Sequence, residues 1–119
     1  MVKTFNQVII EGYVGNQPEF RVTARGTNVI KFVVATEDSI FNEKKIQWHN
    51  IVIASDVVIE AIKGKLKKGS RVRITGTLYV HKVGRGYLLK QNTEIIVDSG
   101  GLVEFVEIKS DISTSLYDD

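Results

Sequence analysis

Cysteine is absent from the 119-residue chain, which excludes disulfides, thiolate chemistry and Cys-ligated zinc or iron–sulfur centres, and with them a small secreted disulfide scaffold. A reducing compartment is the expectation. Long apolar runs are also missing. No stretch approaches about 18 apolar residues, and Met1-Val2-Lys3-Thr4-Phe5-Asn6 has no apolar run behind a basic start, so neither a membrane span nor a signal peptide is expected. The chain reads as soluble and cytoplasmic. Histidine is limited to His49 and His81, and neither has a convincing acid–base partner in the sequence. His49 shares a predicted strand face with Ile51 and Ile53, the setting of a packed or interface histidine rather than of a ligand or base. No glycine run matches the phosphate-cradling P-loop, and Gly12 to Gly15 lacks the dinucleotide-binding spacing. Glu37, Asp38 and Glu43 have no metal-ligand spacing and read as a solvated hairpin tip. The expectation is a non-catalytic protein with no cofactor and no metal.

What the chain has is an ordinary globular balance, 43% apolar and 25% charged, at the length of one domain. Its formal net charge of +2 conceals an asymmetry. Residues 1 to 97 hold 15 of the 16 Lys and Arg against 8 acids, a charge of +7, whereas residues 98 to 119 hold one Lys against 6 acids, a charge of −5. A basic body concentrates anionic partners, nucleic acid first, and an acidic end can screen that field or contact a basic protein. A solvated surface with unevenly placed charges is the alternative at this level.

Glycine punctuates a series of strands. Asn6 to Val14 alternates, with Val8, Ile10, Gly12 and Val14 on one face and Gln7, Ile9, Glu11 and Tyr13 on the other, before the turn Gly15-Asn16-Gln17-Pro18. Glu19 to Thr23 is a short return. Asn28 to Thr36 is a β-branched run that groups Ile30, Phe32 and Val34, and Ile46 to Ala54 separates Trp48, Asn50 and Val52 from His49, Ile51 and Ile53, with a polar tip over Asp38 to Lys45 between them. One helix follows, capped by Ser55 or Asp56. It carries Val58, Ala61, Ile62 and Leu66 on one side, has Lys63, Lys65, Lys67 and Lys68 crowding its end, and stops at Gly69. Arg71 to Val80 alternates most cleanly, with Val72, Ile74, Gly76, Leu78 and Val80 on a dry face and Arg71, Arg73, Thr75, Thr77 and Tyr79 on a basic, wet one. Gly84-Arg85-Gly86 makes a hairpin tip, Tyr87 to Val97 returns, and Leu102 to Ile108 closes as a last strand. Short strands with a single helix between the third major strand and the fourth describe an all-β protein of OB-fold plan, a five-stranded Greek-key barrel with extended β-hairpins. A parallel α/β sheet would need more helical crossovers than the one present.

Polar or basic strand faces that also display rings suit single-stranded nucleic acid, because phosphates need cations and unpaired bases stack on aromatic rings at about 1–3 kcal/mol per base. Arg71, Arg73 and Tyr79 lie on one such face and Trp48 beside Asn50 on another. Phe41 and Tyr87 offer further rings, and Lys44, Lys45, Lys82 and Arg85 extend the basic surface along the flanking hairpins. Each ring also has a structural reading: Trp48 as a core residue, Tyr79 and Tyr87 as cross-strand packing.

These segments together resemble a family. Asn6-Gln7-Val8-Ile9-Ile10-Glu11-Gly12, Gly15, Pro18-Glu19-Phe20-Arg21, Phe32-Val33-Val34-Ala35-Thr36, Trp48-His49, Lys68-Gly69-Ser70-Arg71-Val72 with Gly76 and Leu78, and Thr93-Glu94-Ile95 are similar in order and spacing to the bacterial and mitochondrial single-stranded DNA-binding proteins, over about residues 5 to 97. The resemblance implies a homotetramer that wraps single-stranded DNA without sequence specificity during DNA replication, recombination and repair. It would be cytoplasmic and nucleoid-associated in a bacterium, or in the matrix of a mitochondrion. The domain is expected over residues 1–108, with 109–119 a short polar acidic end. Trp48 occupies one of the family's stacking positions, and Ile40 or Phe41 another, depending on the loop's register. Ala54 and Val83 stand where bacterial members commonly carry Phe and Trp, which shifts the expected stacking to Phe41, Tyr79 or Tyr87 and more of the affinity to cations. Leu116-Tyr117-Asp118-Asp119 keeps some acid but not the family's spacer and terminal Pro-Phe, so recruitment of replication and repair proteins through this end is incomplete in its motif. The same surface would also serve an OB-fold that binds RNA or assembles a replication-restart complex, and only RNA would offer it a 2′-hydroxyl.

Overall fold

The first alternating run folds as β1 (Val8–Val14), with Gly12 and Val14 buried and Ile9 and Tyr13 facing out. In this computed structural model, which describes residues 3–106, the strand starts two residues later than the alternation suggests. Asn6 is instead a clasp: its side chain donates to the Leu78 carbonyl at 2.9 Å and accepts from the Leu78 amide at 3.0 Å. Next come β2 (Glu19–Val22), β3 (Asn28–Ile40), β4 (Glu43–Ile53), α1 (Asp56–Ile62), β5 (Arg71–Val83), β6 (Lys90–Val97) and β7 (Leu102–Phe105).

The strands neighbour one another in the order β1-β3-β4-β6-β5, and β5 returns to β1 through Val8↔Gly76 to Tyr13↔Arg71. This closes a five-stranded barrel. Every pair in it is antiparallel except β4 with β6, which run parallel through Ile51↔Ile95 and Ile53↔Val97. That order, with the helix between the third and fourth barrel strands, is the OB-fold. β2 pairs along the outside of β3, and β7 lines β5 from Val72 to Thr75. Inside lie Val14, Ile30, Phe32, Val34, Ile51, Ile53, Val72, Ile74, Ile95 and Val97, joined by Ile59 and Ile62 of α1. Burying such a side chain is worth about 1.5–3 kcal/mol. Closure also depends on glycine where strands approach: a Cβ at Gly12 would run into the Ala35 carbonyl, and one at Gly76 would come within 2.5 Å of the Ile96 carbonyl oxygen.

Several boundaries differ from the sequence reading, each for a local reason. The polar tip expected over Asp38 to Lys45 is paired strand as far as Ile40↔Glu43, with Lys44 reaching Glu37 and Gln47 reaching Asp38 diagonally across the ribbon. Only Phe41 and Asn42 turn, at φ of 53° and 63°, the two left-handed positions of a type I′ hairpin. Ser55 caps the helix by accepting from the Val58 amide, but the helix ends at Ile62 because Gly64 takes the left-handed conformation at φ 80°. The lysines from Lys63 to Lys68 therefore lie past the helix, and Gly69, also left-handed at φ 93°, shapes the following loop. The dry face of β5 holds only to Gly76; beyond it the strand leaves the barrel as a ribbon with β6, and Leu78 and Val80 are exposed. Tyr87 is not in the returning strand, which begins at Lys90, but in a 3-10 turn over Gly86–Leu88. The last strand ends at Phe105, and the acidic end at 109–119 lies outside the described residues.

Candidate nucleic-acid interface

Because β4 and β6 run parallel at Ile51↔Ile95, the β3–β4 ribbon, which turns ahead of β4, and the β5–β6 ribbon, which turns ahead of β6, leave the barrel in the same direction. Between their bases is the outer sheet face of β3, β4 and β6. Trp48 lies on it, opposite Ala35 of β3, and is 61% exposed, so its place is the surface and not the core. The indole leans diagonally over the end of β1: a Cβ on Gly15 would sit 2.5 Å from its Cζ3. Asn50 continues the face and donates at 3.5 Å to the Thr93 carbonyl of β6. On the β5 side Tyr79, half exposed, stacks on His81 with centroids 4.8 Å apart and planes 13° apart, and His81 Nε2 meets Glu94 Oε1 at 3.0 Å.

The ribbons carry the other candidate rings, Phe41 and Tyr87, and the candidate cations Lys44, Lys45, Lys82 and Arg85. Phe41 crowns the β3–β4 ribbon, 94% exposed in a left-handed conformation that costs a side-chain-bearing residue about 1–2 kcal/mol, while Ile40 stays in the strand opposite Glu43. The loop thus puts Phe41, rather than Ile40, at the tip. Lys44 and Lys45 lie behind it in exposed pairs with Glu37 at 3.5 Å and Glu43 at 2.8 Å, contacts weak enough to exchange for phosphate. Tyr87, 99% exposed, stands at the other tip with Lys82 and Arg85 near it. Val83 ends β5 partly exposed, and Ala54 is half-buried beyond β4.

Arg71 and Arg73 do not join this group. Tyr79 follows Arg73 by six residues along β5, about 20 Å of strand, and both arginines lie beside β1 instead. There Glu11 accepts from Arg71 Nη2 at 3.0 Å and from Arg73 at 3.2 Å. The hydrogen bond that Arg71 donates to Glu11 raises the Arg71 pKa above its ordinary value, and the Arg71 guanidinium stands over the Tyr13 ring, 5.5 Å from its centroid. A shared carboxylate offsets part of the charge that the sequence assigns to both arginines. Tyr13 and Glu11 were not candidates on sequence grounds. The outward face of the first strand showed that Tyr13 would be exposed, but its pairing with Arg71 exists only once β1 closes on β5.

Asp38 is likewise held by its neighbours. Thr36 Oγ1 donates to it at 2.6 Å and Gln47 Nε2 at 2.8 Å, while His49 Nε2 lies 2.8 Å from Thr36 Oγ1. The Thr36 hydrogen bond first, then that of Gln47, holds the Asp38 carboxyl below its usual range, with the nearby His49 adding to the effect. Among the described residues no group of three His, Asp or Glu side chains is placed to hold a metal, and no helix is long and apolar enough to cross a membrane.

A closed OB barrel with an exposed ring on its outer sheet face and two long hairpin ribbons that carry lysine or arginine beside it belongs to a known class of domain. The model of the single-strand binding protein family matches residues 5–105, and the chain belongs to that family. Among curated proteins, the single-stranded DNA-binding protein of Rickettsia felis is 35% identical over 88 residues, covering 69% of this chain and 58% of the relative. Single-stranded DNA-binding protein 1 of Chlorobaculum tepidum is 39% identical over 83 residues, covering 66% and 51%. The chain thus spans just over half the length of these relatives. Among solved structures, the Plasmodium falciparum SSB in complex with ssDNA superposes with a TM-score of 0.80 at 29% identity, covering 90% of this chain and 99% of that one.

Proposed function

We propose that the chain binds single-stranded DNA without sequence specificity and without catalysis, in the service of DNA replication, recombination and repair. The observation that carries this reading is Trp48: a large ring left 61% exposed on the outer sheet face, where burial would have been worth several kcal/mol, between two ribbons that present Lys44, Lys45, Lys82 and Arg85. Bases stack on Trp48, with Phe41, Tyr79 and Tyr87 as further platforms. Phosphates contact the ribbon cations, and the strand runs across the sheet rather than into a pocket. Strand faces apolar on the outside as well, such as those carrying Ile9, Ile46 and Val22, support self-association, and a homotetramer is the assembly proposed.

Titration with oligo-dT at two salt concentrations tests the reading. Saturation should quench Trp48, the only tryptophan, and log K should fall linearly with log salt. A labelled oligomer should bind Trp48→Ala more weakly by roughly 1–3 kcal/mol while the variant keeps its fold, and sedimentation of the same samples reports the assembly. Salt-independent binding, or no binding, would refute the reading.

A further inference from the structure

An acid lies on the face proposed to carry DNA. Glu94 of β6 stands directly opposite Tyr79 of β5, and together with Asn92 and with Asn50, two residues along β4 from Trp48, it lines a shallow hollow of the outer sheet face. Phosphates repel a carboxylate, and hiding one from water costs free energy unless it is paired. The Glu94 side chain is nevertheless only 15% exposed, and its Oε1 meets His81 Nε2 at 3.0 Å, diagonally across the ribbon. An ionised carboxylate only accepts, so this hydrogen bond puts an imidazole proton on Nε2 and fixes the orientation of the ring. Side chains two apart on one strand rise about 6.6 Å from each other. The Tyr79 and His81 centroids are 4.8 Å apart with planes 13° from parallel, so the tethered imidazole and the phenol lean together. His81 takes one face of Tyr79, and the tyrosine is still 49% exposed. Both rings lie beyond Gly76, where β5 pairs with β6 and no longer with β1 or β7, apart from the strand faces of Ile9, Ile46 and Val22 that are proposed for self-association.

We propose that Glu94 and His81 are positioning residues for DNA binding: Glu94 tethers His81, and His81 holds Tyr79 as a preformed platform on whose other face a base stacks. An unsupported tyrosine on a wet strand has to be ordered when the base arrives, whereas a ring already held against His81 does not, and the saving appears as affinity. The acid therefore strengthens DNA binding in spite of its charge. This inference rests on the proposed function and deepens it.

The test measures labelled oligo-dT binding to Glu94→Ala and Glu94→Gln, which remove the same charge although only Gln keeps an acceptor oxygen for His81. Glu94→Ala should bind roughly 2- to 12-fold more weakly, the cost of immobilising one side chain, with the full Trp48 quench at saturation, while Glu94→Gln stays within about twofold of wild type. In a Tyr79→Leu background Glu94→Ala should cost nothing further, because the platform it serves is gone. Wild-type protein carrying isotope-labelled histidine, read by NMR at about pH 8, should show a proton on His81 Nε2 with and without oligo-dT; this readout needs no variant to fold. The proposal fails if Glu94→Ala binds as tightly as wild type or more tightly, the result that removing a repelling charge alone would give. It fails equally if Glu94→Gln loses as much as Glu94→Ala, if the loss persists in the Tyr79→Leu background, or if His81 carries its proton on Nδ1 alone. Each of these outcomes leaves DNA binding intact, whereas a wild type that does not bind oligo-dT overturns the proposed function itself, and this inference with it.

Discussion

Gly15→Ala moves the proposed stacking ring without altering it. The new methyl carbon would lie 2.5 Å from Trp48 Cζ3 and 3.1 Å from both Trp48 Cε3 and Val33 Cγ2, and Gly15 has no positive φ that would add backbone strain. To reach ordinary contact at about 3.5 Å the ring edge must lift by about 1 Å. A gap of that size forfeits about a quarter to a half of a dispersion contact, so against stacking worth about 1–3 kcal/mol per base the expected loss is roughly 0.3–1.5 kcal/mol, or about 2- to 12-fold in affinity. Stability should move little: the lost ring contact is opposed by the roughly 0.4–1 kcal/mol that Ala gains over Gly through a less flexible unfolded chain. Because the protein has one tryptophan, its emission reports the displaced ring directly, and the same signal follows oligo-dT binding. Gly100→Ala is the control, since a Cβ there meets only Asp98 Oδ1 at 3.8 Å. If Gly15→Ala leaves both the emission maximum and the affinity unchanged, the ring does not rest on Gly15 and the stacking assignment for Trp48 fails.

Replacing Lys82 and Arg85 together by Gln should flatten the plot of log K against log salt by about 0.7 for each phosphate contact removed; an unchanged slope would take the β5–β6 tip off the DNA path. Asp38, whose carboxyl is held below its usual range chiefly by Thr36, contributes stability that is present above the ordinary carboxylate range and lost as the pH falls through and below it. Asp38→Asn should therefore be less stable than wild type in urea at pH 7, with the difference closing towards pH 3; a difference that is the same at both pH values would show that Asp38 acts by shape and not by charge.

What could be read from the chain follows the places where one face of a strand is dry. The inward residues of β1, β3, β4 and β5 up to Gly76 alternate because the barrel excludes water from one side only, and that contrast is written in residue type. It stops at the ribbons, where both faces are wet and contacts run diagonally between strands, Lys44 to Glu37 and Gln47 to Asp38, which leaves no periodicity. The helix end was ambiguous for a different reason. Gly64 and Gly69 are both left-handed, and a lysine-rich segment suits either side of a helix end; what selects Gly64 is the need to turn the chain so that Leu66 packs against the core. At the interface, an exposed ring could be suspected at Trp48 from its strand, but its resting place on Gly15 joins residues far apart in sequence. Tyr13 and Arg71 meet only across the seam that closes the barrel, so the shared Glu11 leaves no local mark.

The parallel edge between β4 and β6 also orders events on the ribosome. Antiparallel neighbours such as β3 and β4 are joined by a two-residue turn and can zip within microseconds of emerging, but Ile51 to Ile53 have no partner on their other side until Ile95 to Val97 have been synthesised. Throughout that interval the nascent chain carries an open strand edge next to the apolar faces of Val34, Ile51 and Ile53, with loop closure still to be achieved over a long stretch of chain. The step that makes the barrel therefore waits for the last of the barrel strands to be translated, and the β3–β4 hairpin must stay unaggregated until it occurs.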